Sequence, residues 1–118
     1  MKKVEIEIRG CYSIDELRQV VDLCDAAFPE TPREYFDRHI LHDGTLALED
    51  TRILVKDGKI VSSVQVFPRT IYAAGKKMNV GGIGNVATLP SERKNGYAGM
   101  VMKDSMNHIS AKDIQFLS

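Results

Sequence analysis

Apolar and polar residues alternate from Lys3 to Arg9, with Val4, Ile6 and Ile8 set between Lys3, Glu5 and Glu7. A period of two predicts a strand with one buried face. The period then changes. Leu17, Val20, Val21, Cys24, Ala27 and Phe28 recur at helical spacing until Pro29 interrupts them, which predicts an amphipathic helix. Ser13-Ile14-Asp15-Glu16 is a capping box at its start, Ser13 covering an orphan N–H and Glu16 reaching back to the cap. Thr31-Pro32-Arg33-Glu34 repeats the signal with a proline at the first helical position, so a short second helix is expected to about His42, stopping at Asp43-Gly44.

From Arg52 the strand period returns. Ile53-Leu54-Val55, Asp57-Gly58 and the run Ile60 to Phe67 form a hairpin signature, because Asp-Gly supplies the positive φ angles of a type I′ turn. The second strand should continue past Arg69 and Tyr72 to a turn at Gly75-Lys76-Lys77. A further strand follows from about Met78 to Leu89, carrying Gly81, Gly82 and Gly84. Glycines inside a strand mark a bulge, a bend or the close approach of another backbone. Taken alone, they also fit a twisted edge strand with no ligand. Ala98, Met102, Ser105, Met106 and Ile109 predict one face of a third helix, and Ile114 to Ser118 reads as a last strand.

Composition narrows the function classes. At 118 residues the chain holds one domain, and its formal net charge is zero, unlike the basic excess of a sequence-independent nucleic-acid binder. No apolar run approaches the ~20 residues that cross a bilayer. Met1-Lys2-Lys3-Val4-Glu5 alternates charge where a signal peptide would be apolar, so the expectation is a soluble cytoplasmic protein without nucleic-acid or membrane partners. Cys11 and Cys24 lack metal-ligand spacing and read as reduced structural cysteines ahead of a disulfide pair, with a catalytic thiol last. His39 and His42 share a helix face but have no evident third ligand; polar groups on a half-exposed helix are the better reading, and no metal is expected.

The densest chemistry lies between Asn85 and Gly99. Val86-Ala87-Thr88-Leu89-Pro90 ends a strand, and Arg93-Lys94-Asn95-Gly96-Tyr97-Ala98-Gly99 turns into a helix. A helix start offers backbone N–H groups without intrahelical partners and the positive end of the dipole, which together suit a pyrophosphate. Arg93 and Lys94 add charge there, and Gly96 removes a side chain where a ligand would approach. A dinucleotide-binding fingerprint is disfavoured, since position 93 is arginine and the chain order is rich in hairpins.

Arg93-Lys94-Asn95-Gly96-Tyr97-Ala98 resembles the acyl-CoA signature of the GCN5-related N-acetyltransferase (GNAT) superfamily: Arg or Gln, two residues, Gly, one residue, Gly or Ala. The strand ending near Pro90 precedes it at the family's spacing, and Arg52 to Ile109 fits the family's order of three strands and a helix. The resemblance implies an α/β (α+β) fold with a mixed, mostly antiparallel sheet flanked by helices, residues 1–118 forming one acyl-CoA-binding domain. It implies acetyl-CoA as cosubstrate and a primary amine as acceptor, hence an N-acetyltransferase; the alternative is a non-catalytic acyl-CoA-binding module or half-domain in an assembly. Backbone around Val86, Ala87 and Thr88 would contact the pantetheine arm and polarise the acyl carbonyl. Arg93, Lys94, Asn95, Gly96, Tyr97, Ala98 and Gly99 would hold the pyrophosphate. Gly81, Gly82 and Ile83 stand where some members place a general base, Asn85 cannot take a proton, and Glu92 reads as solvated, so no catalytic residue is named. Tyr35, Arg38, His39 and His42 would border the acceptor.

The Gly-Gly-Ile-Gly-Asn-Val run is similar to the amino-terminal part of enhanced-intracellular-survival acetyltransferases. Family members continue past the fifth strand, so the expectation is that C-terminal elements are missing and that the chain alone is inactive. The apolar strand from Ile114 would then be an open edge through which copies could associate.

Overall fold

The computed structural model describes residues 4–42 and 47–111 with their side chains, and the backbone of 115–117. Its strands are β1 (Ile6–Gly10), β2 (Thr51–Lys56), β3 (Lys59–Ala73), β4 (Lys76–Thr88) and β5 (Gln115–Leu117); its helices are α1 (Ile14–Ala27), α2 (Arg33–Phe36) and α3 (Tyr97–Ala111). One sheet runs β1-β2-β3-β4-β5. The first three pairings are antiparallel and β4 with β5 is parallel. This is the mixed, mostly antiparallel sheet flanked by helices that the sequence implies.

Both hairpins follow local chemistry. Asp57 and Gly58 take φ 50° and 83°, and Ala74 and Gly75 take 52° and 75°, so each two-residue loop has the positive pair that matches strand twist. The second turn sits one residue earlier than the sequence predicts, with Lys76 and Lys77 already in β4.

Successive β2 residues point to opposite faces, and both faces are covered. Ile53 joins Val20, Val21, Leu23, Cys24, Phe36 and Ile40 under α1 and α2. Leu54 joins Val61, Val64, Tyr97 and Val101 under α3. Cys11 and Cys24 are free and buried, and burial pushes both thiols up to about 12, which keeps them protonated and unreactive.

Several expectations are corrected. β1 begins at Ile6, and Lys3 lies outside the described residues; Val4 and Ile6 are exposed, because β1 is an edge strand and only Ile8 packs against the core. Glu16 does reach back, but to Tyr12 N at 2.6 Å, while Arg9 holds both its oxygens. α2 has no side-chain cap from Thr31, and it passes into a π-helical turn, His42 N donating to Asp37 O. Its expected stop at Asp43-Gly44 lies outside the described residues, as do Ile114 and Ser118 of the last strand. On α3 the buried stripe is Tyr97, Val101, Ser105 and Ile109, with Met106 exposed. The helix is rotated from the expected face because Tyr97, at its first position, is drawn into the core.

Candidate functional site

β4 changes register at the level of the site. Ala87 and Gly84 pair with Ser63 and Gln65, so Asn85 and Val86 together face the single Val64. The extra residue is a β-bulge, which leaves backbone groups outside the ladder. Asn85 takes φ 49°, a left-handed conformation that asparagine tolerates. Its Nδ2 donates to Gln65 Oε1 at 2.5 Å, and Gln65 Nε2 donates to Thr51 Oγ1 at 3.3 Å. Gln65 and Thr51 are fully buried, so this relay fixes the bulge from two strands away. A Cβ at Gly84 would stand 2.9 Å from the Phe67 ring, and one at Gly81 3.2 Å from Ile109. Those two glycines therefore answer to packing by a ring and by α3.

The other edge of β4 is open where it matters. β5 pairs with it only along Val80, Gly81 and Gly82. From Ile83 to Thr88, β4 has no strand on that side among the described residues, and its backbone can receive an extended ligand as a strand would.

Beyond Thr88 the chain makes a tight turn, Pro90–Glu92, and enters α3. Lys94 and Gly96 take φ 71° and 77°, and Gly96 O accepts from Met100 N at 3.2 Å. Gly96 is thus the N-cap, and the N–H groups that follow are those a helix cannot satisfy internally. Thr88, Glu92, Arg93, Lys94, Gly96, Tyr97 and Ala98 line a cleft of about 230 Å³ here. A Cβ at Gly96 would meet nothing within 4 Å.

The candidate residues divide into distinct roles. Arg93 borders the cleft, but its guanidinium is engaged elsewhere, donating to Ala27 O at 3.2 Å with its charge at the negative end of α1. Tyr97 packs in the core and also borders the cleft. Asn95 Nδ2 donates to Glu92 O at 3.2 Å, closing the loop on itself. Ala87 is buried against α1, whereas Thr88 shares a hydroxyl bond with Ser62 at 2.9 Å. Lys94 is exposed, and Gly99 has open space around it.

The sequence reading missed Lys56. Its Nζ donates to both Glu92 oxygens at 2.8 and 3.1 Å and lies 5.8 Å from the Tyr97 ring centroid. The Glu92 bond raises the Lys56 pKa, and the ammonium neutralises a carboxylate that would otherwise face the cleft. No local signal joins position 56 to position 92.

At the bulge itself lies a second cavity of about 380 Å³, lined by Phe28, Thr31, Tyr35, Phe36, Asn85 and Val86. Of the expected acceptor contacts, Tyr35 lines it. His39 meets Tyr35 with ring centroids 4.3 Å apart and planes tilted by 47°, but is absent from the lining, as are the exposed Arg38 and His42. Among the described residues no three metal-ligating side chains converge, and no helix is long and apolar enough to cross a membrane.

The sequence model of the acetyltransferase (GNAT) domain family matches residues 9–118. No curated protein matches the sequence as a relative. Solved structures do match in fold. A probable N-acyltransferase of Enterococcus faecalis V583 aligns with TM-score 0.73 at 21% identity, over 95% of this chain and 28% of that one. Eis1 from Mycobacterium abscessus gives 0.76 at 14% identity, over 93% and 26%. A GNAT family acetyltransferase from Brucella melitensis, in complex with acetyl-CoA, gives 0.76 at 16% identity, over 97% and 76%. This chain therefore spans under a third of the first two proteins and about three quarters of the third.

Proposed function

The chain belongs to the GNAT acetyltransferase domain family, and from that premise we propose that it binds acetyl-CoA and serves acetyl transfer to a primary amine. One juxtaposition carries the reading: a bulged strand with an open edge leads directly into a turn that presents a helix N-terminus. The pantetheine arm would lie along Ile83–Thr88, and the pyrophosphate would take the N–H groups at the start of α3. The Brucella relative is a complex with acetyl-CoA, which supports the same cosubstrate here.

Transfer forms a C–N bond between amine and acyl carbon, breaks the thioester C–S bond and releases CoA as a thiol. The chain's own contribution would be positional and electrostatic. Backbone N–H groups freed by the bulge can face an acyl oxygen as charge develops on it, and the Asn85–Gln65–Thr51 relay holds them still. Lys56 keeps the Glu92 charge from repelling phosphates.

Calorimetry with acetyl-CoA, followed by thiol release with an amine panel, tests the proposal. Binding with amine-dependent thiol release is expected. Binding without release would leave a non-catalytic acyl-CoA module, and absence of binding would end the reading altogether.

A further inference from the structure

The cavity at the bulge has a composition that limits what can enter it. Three of its six lining residues are aromatic, Phe28, Tyr35 and Phe36, joined by Thr31, Val86 and Asn85. The rings form a connected wall: Phe28 and Phe36 stack at 6.0 Å and 29°, and Tyr35 meets Phe36 edge-on at 5.3 Å and 85°. Among the described residues that line it there is no Asp, Glu, Lys or Arg. The neighbouring Glu30 and Glu34 are exposed on the surface.

This wall is not needed to close the core. Phe36 is 2% exposed and belongs to it, but Phe28 and Tyr35 are 37% and 46% exposed. Two rings thus remain partly in solvent beside an open cavity, held there by Phe36. The floor, Asn85 and Val86, is the bulge along which the acyl group is proposed to lie.

We infer that this cavity is the acceptor pocket and that it takes an arylalkyl primary amine, the ring seated among Phe28, Tyr35 and Phe36 and the amino group directed to the bulge at Asn85–Val86. The inference rests on the acetyl-CoA reading above and deepens it. Two physical arguments favour this occupant over a hydrophilic polyamine or an aminosugar. An aryl ring gains offset and edge-on contacts with a preformed aromatic wall. A polycation would leave charges desolvated without carboxylate partners in the lining. An apolar site also disfavours the ammonium form of the amine. The amine would shed its proton to water as it enters, and the neutral nitrogen is the form that attacks a thioester. Among the described residues the lining holds no carboxylate or imidazole to take that proton, so water is its acceptor.

The test is calorimetric titration of 2-phenylethylamine and of 1,4-diaminobutane into the 118-residue chain, alone and saturated with CoA, with acetyl-CoA titrated separately. Phenylethylamine should bind at least tenfold more tightly than the diamine in both states. Phe28→Ser and Tyr35→Ala should each reduce that preference several-fold. Both sites are partly exposed, so the variants should fold, which circular dichroism would verify, and acetyl-CoA should still bind them. Equal affinity for the two amines, tighter binding of the diamine, or a preference that survives both substitutions would overturn the pocket assignment while leaving the cosubstrate reading intact. Failure of acetyl-CoA to bind the unaltered chain would instead overturn the transferase reading, and this acceptor with it.

Discussion

Gly96 allows the backbone and charge contributions of the proposed phosphate turn to be measured separately. Its φ is 77° and a Cβ there would meet nothing within 4 Å, so an alanine costs left-handed backbone strain and no packing. That strain is about 1 kcal/mol. At roughly 2.1 cal/mol/K of unfolding entropy per residue, Gly96→Ala should lower Tm by about 4 °C. Gly96→Glu should cost the same stability, since its side chain also has room. Its carboxylate, however, would stand about 5 Å from a pyrophosphate on the α3 N–H groups. Unit charges at that separation repel by about 3 kcal/mol at an effective dielectric near 20, and solvent at the open cleft reduces this to about 1–3 kcal/mol. Acetyl-CoA should therefore bind Gly96→Glu about 5- to 150-fold more weakly than Gly96→Ala, a gap that narrows as salt is added. Calorimetry paired with thermal melts of both variants reads the two terms. Equal affinities in two folded variants would refute the placement of phosphate at this turn.

Other sites give independent tests. Lys56→Met should weaken acetyl-CoA binding several-fold by exposing the Glu92 charge, and the double variant with Glu92→Gln should restore it, as a titration series would show. Gln65→Leu strands the Asn85 amide and the Thr51 hydroxyl, so chemical denaturation should register a loss of about 1–3 kcal/mol. Gly10→Ala would push a Cβ to 2.7 Å from Glu49 backbone, and the melting curve should show a loss of about 1–3 kcal/mol. Glu16 is held below the usual carboxylate range chiefly by its bond from Arg9. Its contribution is complete above the unfolded value of about 4.3 and is lost as pH falls through that value toward the folded one. Denaturation from pH 7 to 3 should show a steeper loss in the natural chain than in Glu16→Gln.

What the amino-acid sequence determined alone was whatever depends on neighbours a few positions apart. The Asp57-Gly58 turn, the Ser13 cap and the alternation of β2 and β3 are short-range steric and hydrogen-bonding preferences, legible without any partner. The turn from Arg93 to Gly99 was legible for the same reason, since its glycine and its helix start are contiguous. Tertiary structure decided where the side chains of that turn went. Arg93 is drawn to a carbonyl at Ala27 and Tyr97 into the core, choices that only the approach of α1 and β2 creates. The bulge at Asn85 depends on pairing with β3, and its relay through Gln65 ends on β2 at Thr51. Lys56 finds Glu92, and Phe28 finds Phe36 beside Val86, by the same long-range closure. Periodicity carries no register between distant strands, so the glycine-bearing turn was readable from contiguous residues while the fold alone assembled the cavity at the bulge.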